Sequence, residues 1–383
     1  MSQVSFWERE SFFAPQDIII VGSGFAGLWS ALKLKALYPA HKITILERGI
    51  IPTGASTRNA GFSCFGSAGE LLNDAMLMGE DKLWRLVEMR YKGLLEIQKY
   101  FSADIIDYDP VGGYECFTHD SEDWIKCNEK LDWLNTELKK ITGKNQVFTV
   151  SDEKIVSFGF KGFDHLIENN SEGGLHPGKL VQALLSKVQG MGVQVLTGAE
   201  VRSFETDHKG IHVRTADLPT GKAGFTFQTN QLLLCTNAFT ADLVPGIDII
   251  PNRGQVLITN PVAGLKIKGT FHFNKGYYYF RNVGDRLLLG GGRNKAFETE
   301  NTDVMQTTEL IQTELEQFIQ QYLLPRTPFH ITDRWSGIMA MGSEKLPIVK
   351  AISKNVFCCV RMSGMGVALA PIVAEEVAGL MKQ

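Results

Sequence analysis

The sequence predicts a mixed α/β fold, in which a doubly wound α/β domain is assembled from three stretches of chain and a second domain with an antiparallel sheet is inserted. Continuous apolar runs paired with helical patterns occur at the start, middle and end of the chain, as parallel strands covered on both faces require. Between them, residues 249–295 alternate apolar and polar side chains as antiparallel strands do. The predicted domains are 1–90 with 172–245 and 335–383, and 91–171 with 246–334.

The composition is that of a globular protein of about two domains. The 383 residues are 44% hydrophobic and 21% charged, and a net charge of −3 provides no basic surface for nucleic acid. No stretch approaches the ~20 apolar residues of a membrane span, and the N-terminus lacks a signal-peptide pattern. The six cysteines form no CxxC pair, and no Cys/His cluster has metal-binding spacing. We therefore expect a cytoplasmic protein without a metal, a transmembrane segment or a nucleic-acid partner.

A strand–helix–strand unit opens the doubly wound domain. Residues 17–21 are a β-branched run, residues 28–37 have helical spacing up to Pro39, and the apolar run 42–46 ends at Glu47. The intervening turn has a GxGxxG pattern, whose glycines permit a tight turn, close approach to a pyrophosphate and close helix packing. The residues of this turn, all expected to contact a cofactor, are Gly22, Ser23, Gly24, Phe25, Ala26 and Gly27.

An acidic residue and a second polar loop complete a dinucleotide site. Glu47 stands 20 residues after Gly27 at a strand end, where its carboxylate would bind an adenosine ribose and repel a 2′-phosphate, although Arg48 beside it has the opposite charge. The loop that follows offers hydrogen bonds and a cation for a phosphate, although its composition fits a flexible surface loop equally well. The residues of this loop are Gly54, Ala55, Ser56, Thr57, Arg58, Asn59, Ala60, Gly61 and Phe62.

The other elements are predicted from periodicity. Helices are predicted over residues 70–101, 121–140, 179–189, 303–322 and about 369–381. Strands are predicted around Val147 and Ile155 and over residues 193–196, 231–235, 256–258, 271–273, 277–280, 286–289 and 356–360, with a hairpin-like stretch over 211–227.

The glycine turn, Glu47 and the sequence GASTRNAG at 54–61 resemble the FAD-binding front of the D-amino acid oxidase superfamily. Within it, the chain most resembles the amine-oxidising group that includes glycine oxidase, sarcosine oxidase and gamma-glutamylputrescine oxidase. The resemblance continues through LHP at 175–177, LLLCTNA at 232–238, PxRGQ at 251–255, WxG at 335–337, LPI at 346–348 and SGMGV at 363–367. It implies a Rossmann-like first domain that binds FAD and a second domain that binds the substrate.

The resemblance also implies cofactor contacts beyond the two N-terminal loops. They are Val201, Thr236, Asn237, Gly364, Met365, Gly366 and Val367. The last four form a turn into a helix, whose main-chain N–H groups suit the negative edge of a reduced flavin. Because the chain has no Cys just after WxG and no His near Arg58, where relatives attach flavin covalently, we expect non-covalent FAD.

The substrate side departs from the family. Met339 stands where glycine oxidase is expected to hold the substrate carboxylate with an arginine, and a thioether cannot form that clamp. Arg253, Arg281 and Arg361 are the candidate anchors in its place. Three consecutive tyrosines precede Arg281, and Tyr278 is the one we expect to line the substrate site, with cross-strand packing as the alternative.

The resemblance places Trp335 near the flavin, so the predicted catalytic positions are Tyr278, Trp335 and Met339. The predicted reaction transfers a hydride from the carbon that bears nitrogen to flavin N5, and the imine then hydrolyses. The electrons pass to O2 or to another acceptor. Residues 287–289 are all leucine, where sarcosine oxidase is expected to have an oxygen-activating lysine, so a dehydrogenase that reduces a quinone or another carrier is the alternative. A tRNA-modifying flavoprotein and a flavin-binding protein without turnover are further alternatives.

Overall fold

The computed structural model describes residues 4–216 and 223–382, which divide into two compact units. The first unit comprises Met1–Thr57, Gly178–Pro251 and Met339–Gln383, and the second comprises Arg58–Pro177 and Asn252–Ile338. None of the helices in the described part of the chain combines the length and the apolar character needed to cross a membrane.

The α-helices are α1 Phe6–Glu10, α2 Phe25–Leu37, α3 Ala68–Met78, α4 Glu80–Tyr100, α5 Ala103–Ile106, α6 Glu122–Thr142, α7 Lys154–Phe158, α8 Pro177–Gly190, α9 Phe297–Glu300, α10 Glu309–Phe318 and α11 Gly366–Leu380. The strands are β1 Gln16–Val21, β2 Ile43–Leu46, β3 Phe62–Ser63, β4 Gly113–Phe117, β5 Phe148–Val150, β6 His165–Asn169, β7 Gly173–Gly174, β8 Gln194–Leu196, β9 Val201–Asp207, β10 Gly210–Ala216, β11 Ala223–Leu234, β12 Ile250–Thr259, β13 Thr270–Phe273, β14 Tyr278–Val283, β15 Arg286–Gly291, β16 Ile331–Met341, β17 Ile348–Ser353 and β18 Val356–Val360.

The first unit contains a sheet in the order β17-β18-β11-β1-β2-β8, with β9 and β10 attached beside β11. All neighbouring pairs from β18 to β8 are parallel, whereas β17 is antiparallel to β18. The apolar runs form its centre: Ile18, Ile19 and Ile20 are fully buried, and α11 packs against α2. Because β1 has β2 on one side and β11 on the other, the strand order reverses at β1, and ligands of doubly wound folds bind at such a reversal.

The second unit contains a sheet in the order β16-β12-β15-β14-β13-β4-β6-β5, in which β13 and β4 are parallel. An aromatic core covers one face, where Phe271 stacks on Phe280 at 4.8 Å and Phe318 of α10 completes the cluster. Helices α3, α4 and α6 pack on one another in the same unit. The structure therefore confirms a mixed α/β fold with a doubly wound sheet and a largely antiparallel one.

Several predicted elements differ from the structure. The strand predicted around Ile155 is the helix α7, because Ile155 and Phe158 are buried at helical spacing before Gly159 ends the turn with φ +79°. The helix predicted over 70–101 is two helices, since Gly79 at φ +82° ends α3 and begins α4. The helix predicted over 303–322 begins at Glu309, and from Ile319 it continues as a π-helical turn.

Other differences concern boundaries. The sequence does not predict the strands β3, β4, β6, β7, β9, β16 and β17. Of the hairpin predicted over 211–227, residues 217–222 lie outside the described residues. Residues 58–90, assigned from the sequence to the first domain, lie in the second unit, because α3 and α4 pack with α6.

Candidate functional site

The carboxyl ends of four parallel strands meet at one edge of the first unit's sheet. Because β18, β11, β1 and β2 run in the same direction, the residues that follow each of them lie along that edge. The predicted cofactor positions that follow these strands are Gly22 to Gly27, Glu47 and Arg48, Thr236 and Asn237, and Gly364 to Val367. The topology thus brings together four groups that are far apart in sequence.

Two glycines of this turn, Gly22 and Gly27, have no room for a side chain. Gly22 has φ +98°, and a Cβ there would lie 2.9 Å from the main-chain oxygen of Cys235. A Cβ at Gly27 would lie 1.9 Å from the main-chain oxygen of Gly22, so the start of α2 can sit against the turn only because residue 27 is glycine. The turn between β1 and α2 is therefore held in the shape that cradles a pyrophosphate.

The N-terminus of α2 suits an anion or another oxygen acceptor. Gly24 is the N-cap and has no side chain with which to cap the helix, and Ala26 follows Phe25 in the first turn. The Ser56 hydroxyl accepts a 2.8 Å hydrogen bond from the Phe25 main-chain nitrogen. An oxygen acceptor already sits where a helix N-terminus attracts a phosphate oxygen, so a polar ligand fits this position.

Glu47 is buried at the end of β2. It accepts hydrogen bonds from the main-chain nitrogen and the hydroxyl of Ser23, at 2.9 and 2.7 Å, and from the main-chain nitrogen of Gly49 at 2.9 Å. The guanidinium carbon of Arg48 lies 3.8 Å from the centroid of the Phe239 ring. The Glu47 main-chain oxygen accepts from the nitrogen of Ala199, which places the start of β9 at Val201 close to this strand end.

Just after the carboxyl ends of β11 and β18, two buried polar atoms have no hydrogen-bond partner among the described residues. They are Oδ1 of Asn237, at φ +47° just after β11, and Oγ of Ser363, at φ +47° just after β18. Burying an unpaired polar atom costs about 1–3 kcal/mol, so such atoms point to a ligand. With the glycine turn and Glu47, they fit a bound dinucleotide such as FAD.

Met339 adjoins the last of these groups. A Cβ built on Gly364, whose φ is +82°, would lie 3.4 Å from the Met339 sulfur, which is ordinary van der Waals contact. The main-chain nitrogen of Ser363 donates to the oxygen of Ala340. Met365 is the N-cap of α11, and Gly366 and Val367 begin the helix. The structure therefore places Met339 against the turn that the resemblance assigns to the flavin.

The GASTRNAG loop divides between the two units after Thr57. Within the first unit, the Thr57 hydroxyl donates to the main-chain oxygen of Pro52 at 2.6 Å, and Ala55 to Thr57 form a short 3-10 turn after Gly54. Within the second unit, the Asn59 side chain accepts from the main-chain nitrogen of Gly61 at 2.9 Å, across Ala60. These bonds fix the loop's own shape, unlike a flexible surface loop.

Arg58 and Trp335 are mutually held within the second unit. The Trp335 indole nitrogen donates to the Arg58 main-chain oxygen at 2.9 Å, and Arg58 Nη1 donates to the Ser336 main-chain oxygen at 2.9 Å. A side chain at Gly337 would meet the Arg58 Cβ at 3.1 Å, which explains the glycine of WxG. Trp335 therefore positions Arg58.

Tyr278, which the sequence predicts to line the substrate site, packs on the face of the sheet that α10 covers. The side chain is 3% exposed. Its ring stacks on that of Phe318 with the ring centroids 4.7 Å apart, and its hydroxyl donates a 2.6 Å hydrogen bond to the Glu314 carboxylate. It also borders a recess of about 310 Å³ on that face. Strand alternation directs Tyr279 to the opposite face, where its ring packs edge-on against that of Phe62 with the ring centroids 6.1 Å apart.

The face that carries Tyr279 also holds groups that the sequence did not single out for the site. His272 on β13 lies opposite Tyr279 on β14, and its ring packs edge-on against Phe62 with the ring centroids 5.1 Å apart. The Nε2 atom of His272 is buried and has no hydrogen-bond partner in the described part of the chain. Burial lowers the pKa of His272, so the imidazole is neutral, and burial raises the pKa of Tyr279 to about 12. The next strand adds Glu115.

The three candidate arginine anchors are committed to protein partners. Arg253 forms a buried bidentate pair with Glu300, at 2.9 and 2.7 Å. Arg281 donates to the main-chain oxygens of Gly61 and Leu175, at 2.5 and 2.9 Å. Arg361 donates to the Asp248 carboxylate and, through two nitrogens, to the Leu346 oxygen. Each guanidinium therefore braces the fold.

Comparison with known proteins agrees with this geometry. A sequence model of the family described as FAD dependent oxidoreductase (DAO) matches residues 17–380. The chain is 25% identical to the probable oxidoreductase OrdL of Haemophilus influenzae, over 95% of this chain and 83% of that protein. It is 22% identical to the gamma-glutamylputrescine oxidoreductase of Escherichia coli, over 96% of this chain and 83% of that one.

Solved structures share the fold at low identity. The L-proline dehydrogenase from P. horikoshii superposes with a TM-score of 0.74 at 19% identity, over 96% of this chain and 93% of that chain. The glycine oxidase from Bacillus cereus superposes with a TM-score of 0.70 at 16% identity, over 96% and 95%. These likenesses confirm the Rossmann-like fold predicted from the sequence.

Proposed function

Because the chain belongs to the FAD dependent oxidoreductase family, we propose that it oxidises a C–N bond of a small amine or amino acid. The observation that supports this most is the sheet edge of the first unit, where a glycine turn, a buried acidic residue and two unpaired polar atoms meet. The relatives' names agree in kind, since gamma-glutamylputrescine, proline and glycine all carry a CH–N bond.

The first unit would hold the FAD. In this proposal the glycine turn and the start of α2 receive the pyrophosphate, and the Glu47 carboxylate accepts from the ribose hydroxyls in addition to Ser23. Asn237, Ser363 and the turn that includes Gly364 to Val367 take the flavin end. The FAD would be non-covalent, because the sequence has no cysteine just after the WxG element and no histidine near Arg58.

The second unit would bind the substrate. FAD, when bound, supplies a two-electron acceptor for the hydride on the carbon that bears nitrogen. The substrate nitrogen must be neutral to release that hydride, although a free amine has a pKa near ~10. The aromatic face of Phe62 and Tyr279 would disfavour the cation, and neutral His272 can accept a hydrogen bond from the amine through Nε2. The imine that forms then hydrolyses in water.

Anaerobic titration tests the reaction. The protein is reconstituted with FAD and mixed with primary amines, secondary amines and amino acids, and the visible absorbance of the flavin is recorded. We expect at least one of these compounds to bleach the flavin and the matching alcohols or hydroxy acids to leave it yellow. Bleaching by an alcohol, or by no compound of the amine panel, would contradict the proposal.

The electron acceptor is a separate question, and we propose O2, with a quinone or another carrier as the second candidate. A quinone or another carrier is favoured by the composition of β15. Its residues Leu287, Leu288 and Leu289 are buried and uncharged, so they provide no cation that could stabilise superoxide during the reaction with O2. Reoxidation rates of the substrate-reduced protein with O2 and with a soluble quinone decide between them. Reoxidation much faster with quinone than with O2 would assign a dehydrogenase.

We propose a cytoplasmic location, since all six cysteines are free thiols and all are buried. Cell fractionation tests this, and recovery of the protein with membranes or outside the cell would contradict it.

A further inference from the structure

Arg293 has hydrogen-bonding capacity that the described residues leave unused. It follows the glycines that end β15, where Gly291 has φ +125° and Gly292 has φ +73°. Its Nη1 donates to the Asn252 side-chain oxygen, and no other hydrogen bond or ion pair joins its side chain to the described part of the chain. Because Nε and Nη2 lie on the same edge of a guanidinium, the edge suited to a bidentate anion is open.

The charge around Arg293 is uncompensated. The carboxylate that affects the pKa of Arg293 is that of Glu300, which already forms two hydrogen bonds with Arg253 and two with the Gln255 side chain. The charges of Arg253 and Glu300 cancel, so the cluster of Arg253, Glu300 and Arg293 has a net charge of about +1, which comes from Arg293. Partial burial lowers the pKa of Arg293, although an arginine stays charged at neutral pH, and this unmatched cation attracts an anion.

Aromatic residues fix the position of this cation. The Arg293 guanidinium carbon lies 5.0 Å from the Phe297 ring centroid, and the Phe297 ring packs edge-on against Tyr277 at 5.7 Å. Tyr279 also interacts electrostatically with Arg293, and its ring fills the space that a side chain at residue 290 would need. Arg293 is therefore adjacent to the face that carries Tyr279 and, one strand further, His272.

We propose that Arg293 binds the carboxylate of the substrate through Nε and Nη2, while Asn252 holds Nη1. This inference rests on the proposed function and narrows it to amines that carry a carboxylate. Arg293 would take the place of the arginine that is absent at residue 339, from another element of the chain. The substrate would then extend from Arg293 along Tyr279, with its nitrogen within reach of His272.

Substrate preference provides the first test. Wild type, R293M and R293K are compared on an amino acid that bleaches the flavin and on its decarboxylated amine, with R286M, at the start of β15, as the control. For the amino acid we expect kcat/KM to fall on the order of 30-fold or more in R293M, less in R293K, and to be unchanged in R286M. For the decarboxylated amine we expect no loss. An equal loss on both compounds, or none on the amino acid, would overturn the inference.

Binding provides a test that needs no turnover. Calorimetric titration with sodium propionate is performed on wild type, R293K and R286M, each reconstituted with FAD. We expect binding to wild type and R286M and binding at least about tenfold weaker to R293K, because lysine lacks the bidentate fork. Equal affinities, or no binding to wild type, would overturn the inference. If no amine bleaches wild type but propionate binds through Arg293, the proposed reaction fails and the carboxylate site stands.

Discussion

Glu47 and Ser23 are joined by two hydrogen bonds, from the main-chain nitrogen at 2.9 Å and from the hydroxyl at 2.7 Å. The pair links the glycine turn after β1 to the end of β2, and both residues are buried. The same carboxylate is the group we assign to the ribose of FAD, so it has one structural and one ligand-binding role. Its charge serves both, since a carboxylate accepts from several donors at once.

Replacing Glu47 should weaken FAD binding more than it weakens the fold. In Glu47→Gln the amide nitrogen cannot accept, so a donor of the turn or of the ribose loses its partner, and we expect FAD affinity to fall by about 10- to 100-fold. Titration of apoprotein with FAD, followed by flavin fluorescence, measures this. Glu205→Gln, an exposed residue of the same unit, is the control and should bind FAD normally. Equal affinities of the two variants would remove Glu47 from the FAD site.

Removing the hydroxyl from each of the two tyrosines of β14 should affect the kinetics differently. Tyr278→Phe removes a hydroxyl that bonds Glu314 on the helix-covered face, so kcat and KM should stay within about twofold of wild type. Tyr279→Phe alters the opposite face, which we assign to the substrate, so its KM should rise. Steady-state kinetics with any amine that bleaches the flavin measures both. A large loss of turnover in Tyr278→Phe alone would instead place Tyr278 in the substrate site, as the sequence predicts.

The buried Arg253–Glu300 pair should dominate the stability of the second unit. The side chains are 2% and 1% exposed, so Glu300→Ala leaves a buried guanidinium uncompensated, and we expect a loss of about 3–5 kcal/mol in the free energy of unfolding. Glu316→Ala, which breaks an exposed pair with Arg334, should cost no more than about 1 kcal/mol. Urea denaturation followed by fluorescence compares them. Similar losses in both variants would show that Arg253 finds another partner.

Local sequence signals are sufficient to predict the proposed dinucleotide site, because its glycines and its acidic residue can be recognised from residue type and spacing alone. A glycine that must adopt φ +98° at residue 22, and one at residue 27 with a main-chain oxygen 1.9 Å from the Cβ it lacks, are visible as glycines in the sequence. The same holds for the acidic residue after β2. Asn237 and Ser363 could be assigned only through the resemblance, since their shared feature is a buried atom without a partner.

The substrate side was less predictable because it depends on register and on partners. The alternation of Tyr278 and Tyr279 was evident from the strand, but which face α10 covers depends on long-range packing. Likewise, the sequence cannot show that Arg253 is already paired with Glu300, 47 residues away, or that Arg293 has no carboxylate partner among the residues that the structure describes. The division after Thr57 also reflects the packing of α3 and α4 with α6.

Two buried carboxyl groups of the second unit should make its stability depend on pH. Burial raises the pKa of Glu115 to about 7 and of Glu172 to about 8, above the ordinary 4.5. The Glu172 carboxyl accepts from the main-chain nitrogens of Phe65 and Gly66, and Glu115 from that of Gly69. These bonds hold the 65–69 segment, and it is burial, which disfavours the charged carboxylate, that raises the two pKa values.

The direction follows from proton binding. Each folded-state pKa exceeds the unfolded one, so the folded protein binds more protons between about pH 4.5 and 8 and its free energy of unfolding falls as pH rises. The contribution is complete below the unfolded pKa and is lost through pH 7 and 8, by on the order of 3 kcal/mol per group. Urea denaturation across this range should show the fall in wild type. Glu115→Gln and Glu172→Gln keep the accepting oxygen but cannot ionise, so each should flatten the profile. A wild-type profile that rises over the same range, or Gln variants that leave its slope unchanged, would show that these carboxyls ionise freely in the folded protein.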